Sequence, residues 1–415
     1  MTGRPGPAGG DPGPASARYP RPVAKERATP GSQTSLREAN RARIVAAVQQ
    51  RGSVTQIEIA GATGLSTATV SNIVKELTQA GVLATAPTSR SGRRAMAVTL
   101  ARSRGLVAGI HFAERSLRVA VADLTGRVVA EQRLPLPKDH RPDISLDRGS
   151  LLVEELVDSL GAGQQEVLGV GVGLAAPVDP GTGIIGAERI MAAWGGTPVG
   201  AALQDRWRIP VAVDNDANLG AFAEVRFGAA QGYRHVAYLR AAHGTGLGLV
   251  LDGRVYHGRG GGAGELGHMI VVEGGEVCQC GSRGCLQTTI GADALLARIT
   301  ATHGHQTLRD VVTGALMGDA GHVAVLADAG RRLGAAAATV VALLDPELLV
   351  VGGDLAHAGD ILLAPLRAEL AARSLVSRLG PPPVVAGTLG DQAEVRGAVA
   401  LAVDTVNLAA LGGAS

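Results

Sequence analysis

The sequence predicts an α/β protein in two parts, a small N-terminal unit of three helices and a hairpin, and a much larger two-lobed α/β domain. Apolar residues recur at helical spacing up to about residue 80, whereas short apolar runs separated by turns begin at residue 105. The 415 residues are enough for several hydrophobic cores. Aromatic residues make up only 2% of the chain, so aliphatic side chains must build those cores.

Residues 1–35 are rich in proline and glycine and contain few large aliphatic side chains. Such a segment cannot bury enough apolar surface to offset its ordering entropy, so we expect a disordered tail. Its basic residues are not followed by an apolar segment, which argues against a secretory signal. The longest apolar candidate, residues 334–344, is shorter than the roughly 18 residues of a membrane span. We therefore expect a cytoplasmic protein without a membrane partner.

Residues 36–104 predict three helices and a two-stranded wing. The first helix is expected over residues 36–50. A capping box, Thr55-Gln-Ile-Glu58, begins the second helix, and Gly64 allows the tight turn that follows. Ser66 caps the third helix, which ends before a glycine at position 81. Two extended runs, residues 82–87 and 95–100, enclose the polar tip TSRSGRR.

Charge is concentrated in this N-terminal unit. Residues 36–104 carry ten lysines and arginines against three acidic residues, a net charge of +7, while residues 105–415 carry −8. A small cationic unit on an acidic body is typical of a protein whose small unit alone meets a polyanion. Charge by itself also fits a solvated basic surface, so the residue pattern has to decide.

The open face of the third helix is short-sided and polar, as a helix that enters the DNA major groove requires. Basic residues at the hairpin tip are suited to phosphate or minor-groove contacts. A small protein-interaction module is the alternative, but helix spacing, turn, wing and charge together favour a winged helix-turn-helix that binds double-stranded DNA. The expected contacts are Ser66, Thr67, Thr69, Ser71, Asn72, Lys75, Arg90, Arg93 and Arg94.

Residues 105–415 follow an α/β pattern with a cleft expected between two lobes. A β-meander is predicted first, followed by two buried strands and a helix, and then by a second set of strands. These elements are predicted at residues 106–112, 117–123, 127–134, 167–175, 211–214, 217–227, 235–241, 247–251 and 348–351.

All three cysteines lie in one segment, Cys278-Gln-Cys280-Gly-Ser-Arg-Gly-Cys285, and His268 precedes it. Three thiolates and one imidazole form a closed tetrahedral set that is typical of a structural Zn²⁺ site, one ion per chain. The alternatives are three free thiols, or one disulfide with a cysteine left over. A CxC spacing is too tight for an easy disulfide, so the pattern favours zinc.

Several motifs resemble the ROK family (repressor, open reading frame, kinase): GLSTATVSNIVKELTQAGVL in the third helix, GRVYHGRGGGAGELGHM before the cysteines, CQCGSRGCL, and Asp214-Asn-Asp-Ala-Asn218. The resemblance covers about residues 36–410 and includes the helix-turn-helix that the family's regulators carry and its kinases lack. It implies the two-lobed sugar-kinase (actin-like) fold, and homodimers or homotetramers that bind palindromic operators.

The resemblance also implies sugar contacts from Asn215, Asp216, Glu265 and His268, with Asp216 as the general base in kinases. Helix capping and turn chemistry are the alternative roles for Asp216 and Glu265. Gln287 stands where the family has a glutamate after the zinc loop; its amide is a fifth candidate sugar contact, but the family's hexose specificity does not carry over.

The first phosphate loop departs from the family's Asp-x-Gly-x-Thr. His111 stands in place of the acid, Ala113 in place of the glycine, and Glu114 adds a negative charge where phosphates would lie. The second loop survives in part as Gly244-Thr-Gly246-Leu-Gly248, and the glycines at residues 352–353 match the family's nucleotide-side turn. Because phosphoryl transfer depends on positioning and charge stabilisation, we expect no kinase activity.

The sequence thus predicts a transcriptional regulator of carbohydrate metabolism, a repressor, controlled by a small sugar or sugar derivative. Two alternatives remain: a sugar kinase with an accessory DNA-binding domain, and a constitutive DNA-binding protein whose larger domain only oligomerises.

Overall fold

A computed structural model describes residues 33–90, 93–101, 105–179, 181–186, 189–373 and 379–406. At residues 33–35, 50, 89, 90, 93 and 94 it describes the backbone alone. The tail expected over residues 1–35 therefore lies outside the described residues except for its last three positions, which already belong to the first helix.

The N-terminal unit contains three helices and a three-stranded sheet, in the order α1 (Gln33–Arg51), β1 (Val54–Thr55), α2 (Gln56–Thr63), α3 (Thr67–Gln79), β2 (Leu83–Arg90) and β3 (Arg93–Leu100). The capping box is confirmed: the Thr55 hydroxyl accepts from the Glu58 amide and the Glu58 carboxylate accepts from the Thr55 amide. Ser66 caps α3, and Gly64 has a φ of +69°. The sequence missed β1, which pairs with β3, because two residues are too few to produce a periodic pattern.

The first lobe contains a five-stranded sheet in the order β6-β5-β4-β7-β8. Its elements are β4 (Leu106–Ala113), β5 (Ser116–Asp123), β6 (Val128–Pro135), α4 (Pro142–Ser159), β7 (Val167–Leu174), α5 (Val199–Trp207) and β8 (Val211–Asn215). The predicted meander is confirmed, since β4, β5 and β6 are antiparallel neighbours. Strands β7 and β8 continue the sheet in parallel with β4.

Helix α6 (Asp216–Phe227) leads from β8 to the second lobe, where the sheet order is β11-β10-β9-β12-β13. This lobe contains β9 (Val236–Ala241), β10 (Thr245–Leu251), β11 (Arg254–Val255), α7 (Gln287–Ile290), α8 (Ala292–His303), α9 (Leu308–Leu316), α10 (Ala320–Leu344), β12 (Leu348–Gly352), α11 (Asp360–Arg373) and β13 (Val384–Ala386). The strands and the helix that the sequence predicted here are present. Among the described residues, no helix is both long and apolar enough to span a bilayer.

The last helix, α12 (Ala393–Thr405), returns to the first lobe and packs against its sheet. The approach is close: a β-carbon added at Gly171 of β7 would lie 1.9 Å from the Ala398 carbonyl oxygen. Apolar residues of α12, including Val399 and Val403, also share a core with Ile44 and Val48 of α1. One hydrophobic core therefore connects the N-terminal unit to the first lobe.

Candidate functional site

The N-terminus of α6 lies at the cleft between the lobes. Asn215 is the helix cap: its Oδ1 accepts from the amides of Ala217 (2.9 Å) and Asn218 (3.2 Å), and its Nδ2 donates to the Ala176 carbonyl (3.0 Å). The capping role considered for Asp216 thus belongs to its neighbour. The side chain of Asp216 is free to face the cleft.

Asp216 is only 4% exposed, and two cationic or ionisable groups face its carboxylate. Its Oδ2 lies 3.3 Å from Nε of Arg240 and 3.5 Å from Nε2 of His111, with no hydrogen-bond partner among the described residues. Burial acts to raise the pKa of Asp216, but Arg240 and His111 outweigh it and hold that pKa below its usual value. Asp216 is therefore a buried carboxylate with an acceptor oxygen available to a ligand hydroxyl.

Arg240 links two helices at the base of the cleft. Its Nε also lies 3.0 Å from Oε1 of Glu394, near the N-terminus of α12. The Arg240 side chain is 9% exposed, and the two carboxylates raise its pKa further despite burial. Sequence reasoning missed this residue, because an arginine in a predicted strand carries no local signal for partners at positions 216 and 394.

Glu265 and His268 lie on the opposite wall of the cleft. Oε2 of Glu265 is 3.9 Å from Nε2 of His268, and burial, together with Asp216, raises the pKa of Glu265 to about 7. Gln287 lines the same space, but its amide bonds the backbone: Oε1 accepts from the Thr245 amide at 2.8 Å, and Nε2 donates to the His243 carbonyl at 3.0 Å. Gln287 therefore shapes the cleft wall with both ends of its amide already paired.

The cleft has a narrow inner part and a wide outer part. The inner cavity, which the five predicted ligand residues line with Arg240 and Glu114, measures about 40 Å³. An outer cavity of about 510 Å³ adjoins it, shares Glu114 and Ile190 in its lining, and lies beside Lys138 and Trp194. The Trp194 indole donates to the His140 carbonyl at 2.9 Å, which fixes the ring in the cavity wall. Lys138 and Trp194 are further candidates that sequence reasoning missed.

The predicted metal residues come together at one point. Sγ of Cys278 is 3.5 Å from Nδ1 of His268, and Sγ of Cys280 is 3.7 Å from Sγ of Cys285. All four ligand atoms lie within 4.8 Å of one another, and the three cysteines are free thiols. A tetrahedral zinc with bonds of 2.0–2.3 Å separates such atoms by about 3.5–3.8 Å. The cluster is therefore consistent with a structural zinc site and excludes the disulfide alternative in this structure.

The predicted DNA contacts divide into three groups. Thr67, Ser71, Asn72 and Lys75 are exposed on one face of α3, while the opposite face is buried. Ser66 and Thr69 are engaged in the cap: the Ser66 hydroxyl accepts from the Thr69 amide at 3.1 Å and contacts its hydroxyl at 2.8 Å. At Arg90, Arg93 and Arg94 only the backbone is described, and it forms the end of the β2–β3 hairpin. Their side chains lie outside the described residues.

Comparison with known proteins agrees with this architecture. The ROK family model matches residues 107–405, and a winged helix-turn-helix DNA-binding model matches residues 37–84. The DNA-binding transcriptional dual regulator NagC of Escherichia coli is 28% identical over 90% of this chain and 96% of its own length.

Solved structures extend the likeness to three dimensions. A ROK family transcriptional regulator, described as a homologue of the E. coli MLC protein, is 26% identical with a TM-score of 0.74, covering 91% of this chain and 98% of that one. A ROK glucokinase from Streptomyces griseus, in complex with glucose and AMPPNP, is 28% identical with a TM-score of 0.66, covering 72% of this chain and all of that one. The chain belongs to the ROK family and has the family regulators' winged helix-turn-helix before its two-lobed domain.

Proposed function

We propose that the protein is a sequence-specific DNA-binding transcriptional repressor of carbohydrate metabolism, controlled by a small sugar or sugar derivative in the cleft between its lobes. This proposal rests on a physical connection between the cleft and the DNA-binding unit. Helix α6 begins in the cleft at Asp216 and ends against the DNA-binding unit at Arg226.

The contacts of Arg226 make this connection specific. Its guanidinium donates to the carbonyl of Gln49 in α1 and is 2.7 Å from Oδ1 of Asp404, at the end of α12. Gln49 in turn donates from Nε2 to the Val403 carbonyl at 3.1 Å. The C-terminal ends of α6 and α12 therefore hold the helix that precedes the DNA-reading elements.

The N-terminal ends of the same two helices meet in the cleft, where Arg240 bridges Asp216 and Glu394. A sugar hydroxyl that donates to Asp216 competes with Arg240 for the carboxylate and so changes the bridge. Since α6 and α12 pack closely (a β-carbon at Gly397 would lie 2.1 Å from the Leu219 carbonyl), they respond as one body. A ligand with different affinity for two arrangements of this body shifts the position of the DNA-binding unit.

The cavity sizes indicate how a ligand enters. An inner space of about 40 Å³ holds a few water molecules and is too small for a sugar. The outer cavity of about 510 Å³ accommodates a monosaccharide. Contact with Asp216 and Glu265 therefore requires the lobes to separate, and this movement is the conformational change that we assign to the inducer.

DNA binding to the promoter beside the gene, measured by fluorescence anisotropy with and without a panel of sugars, tests the proposal. Lys75→Ala is expected to weaken binding and to reduce its salt dependence by about one counterion, because Lys75 lies on the exposed face of α3. Arg254→Ala, which removes an exposed cation from the second lobe, is the matched control and keeps full affinity.

Arg226→Ala is expected to retain sugar binding by calorimetry while losing most of the sugar's effect on DNA affinity. Failure to bind any duplex sequence-specifically contradicts the proposal. Operator binding with no sugar binding instead identifies a constitutive DNA-binding protein whose larger domain serves oligomerisation.

We also propose that the domain has no kinase activity. Two features support this. The carboxyl of Glu114 lies against the retained glycine loop, since a β-carbon at Gly244 would be 2.7 Å from its Oε1, and burial raises the pKa of Glu114. His111, at the position of the first loop's acid, lies 3.5 Å from Oδ2 of Asp216, so this loop offers an imidazole where the family's kinases have a carboxylate for magnesium. ADP release above background with any sugar, abolished by Asp216→Ala, would contradict this.

We propose one structural zinc ion held by His268, Cys278, Cys280 and Cys285. Burial, with help from the neighbouring thiols, raises the pKa of Cys285 to about 12, and a bound cation offsets that cost by stabilising the thiolates. Nδ1 of His268 faces the cysteines while its Nε2 faces Glu265. The metal would thereby hold the imidazole in the orientation that presents Nε2 to a ligand in the cleft.

A further inference from the structure

A second cluster of metal-ligand side chains lies in the second lobe, away from the cysteines. It joins His303, the last residue of α8, to Asp319 and His322 at the start of α10. Nε2 of His303 is 3.2 Å from Oδ1 of Asp319, and Nδ1 of His322 is 2.7 Å from the same oxygen. The three ligand atoms all lie within 4.8 Å of one another.

The tautomer of His322 points to a cation. Its Nε2 contacts Oε1 of Gln306 at 2.7 Å, and since that oxygen only accepts, the proton belongs on Nε2. In the neutral imidazole Nδ1 then carries the lone pair, and it faces a carboxylate oxygen. This Nδ1 is buried, in a residue that is 3% exposed, and it has no hydrogen-bond partner among the described residues. Two electron-pair donors at this range require a cation between them, and because the 2.7 Å contact lacks the angle of a hydrogen bond, a metal ion suits it better than a proton.

The surroundings orient both rings. Nδ1 of His303 contacts the Thr302 hydroxyl at 2.7 Å, which leaves Nε2 directed at Asp319. Second ring nitrogens held by hydrogen bonds in this way are typical of metal-ligating histidines. Two glycines keep the space open: a β-carbon would lie 2.6 Å from Nδ1 of His322 if added at Gly314, and 2.9 Å from Cε1 of His303 if added at Gly321.

We propose that His303, Asp319 and His322 form a second binding site for a divalent transition metal of the zinc class. Two imidazoles and one carboxylate favour such an ion over Ca²⁺ or Mg²⁺, which prefer oxygen ligands. Tetrahedral zinc separates nitrogen and oxygen ligands by about 3.3 Å, so one observed pair already matches and the other requires a movement of about half an ångström. With three protein ligands, water completes the shell. The ion fastens the end of α8 to the start of α10.

Zinc stoichiometry of the full-length protein, measured by elemental analysis after equilibration with Zn²⁺ and gel filtration, tests the site. We expect two zinc ions per chain in the wild type and one in His303→Ala, whose affinity for the second ion falls by more than about tenfold. Asp319→Asn is a second variant that keeps the α10 cap, because an asparagine oxygen still accepts from the His322 amide. It is also expected to retain one ion.

His305→Ala is the matched control, since His305 is exposed and lies two residues from His303 outside the cluster. It is expected to keep both ions. Starting from protein that already holds the zinc of the cysteine site, the wild type and His305→Ala are expected to melt at higher temperature with added Zn²⁺ than without, and His303→Ala to show no such shift. Equal zinc content in the wild type and His303→Ala, or loss of the second ion in His305→Ala, overturns the proposal.

Discussion

Replacing Arg240 by methionine should destabilise the protein strongly, because it leaves two buried carboxylates without their shared cation. The guanidinium Nε lies 3.3 Å from the Asp216 carboxylate and 3.0 Å from that of Glu394, and the Arg240 side chain is 9% exposed. Each contact is worth about 5 kcal/mol of Coulomb energy at an effective dielectric constant near 20. The guanidinium also loses its hydration on burial, and breaking a buried pair by removing one partner costs about 3–5 kcal/mol. We expect a loss in that range at pH 7.

The pH dependence supplies a second signature. In the wild type the pKa of Asp216 is held below its usual value, so its contribution to stability is present above that usual value and is lost as the pH falls through the folded-state pKa. Without Arg240, burial dominates and raises the pKa of Asp216. The variant then gains stability as the pH falls through the raised pKa, and its deficit relative to the wild type narrows in acid.

Urea unfolding, followed by the fluorescence of Trp194 and Trp207 at pH 5 and pH 7, measures both effects. The matched control is Arg331→Met, since Arg331 is 53% exposed and pairs with Asp328 at 3.4 Å on the surface of α10. It should cost no more than about 1 kcal/mol. An Arg240→Met protein that loses no more than this control, or whose deficit is the same at both pH values, would refute the assignment of Arg240 as the bridge.

Three further predictions follow from particular residues. Gly171→Ala should lower the free energy of unfolding in urea by several kcal/mol, since its β-carbon would lie 1.9 Å from the Ala398 carbonyl oxygen. Gly61→Ala, which has nothing within 4 Å in α2, should instead raise it by about 0.5–1 kcal/mol. Equal effects would contradict the close packing of α12. Burial raises the pKa of Glu114 in the folded state, so the wild type loses stability as the pH rises above 4.5 and this carboxyl ionises. Glu114→Gln should flatten that decline. Parallel pH profiles of the two proteins would count against a buried carboxyl. Cys280→Ser should lose the zinc of the cysteine site, as measured by elemental analysis, and the binding of sugar, as measured by calorimetry. Full retention of the metal would rule out Cys280 as a ligand.

Local chemistry allowed much of this protein to be read from its sequence. The capping box at Thr55, the cap at Ser66 and the left-handed Gly64 each depend on neighbours within a few residues, so the sequence determined where α2 and α3 begin. The cysteines also lie close enough together in the sequence to indicate a metal cluster before any fold is known, and His268 precedes the first of them by ten residues. The strands of both lobes other than β11 and β13 followed from apolar periodicity.

Only the tertiary structure decided the partners that lie far apart in the chain. Arg240 meets Glu394 across 154 positions, and Arg226 meets Gln49 across 177, so no local pattern contains these pairs. Asn215, and not Asp216, caps α6, because the first residue of this helix depends on where strand β8 ends. His303 and His322 approach each other because α9 folds back between α8 and α10. The sequence determined which chemical groups are available, and close packing of distant elements decided which of them act together.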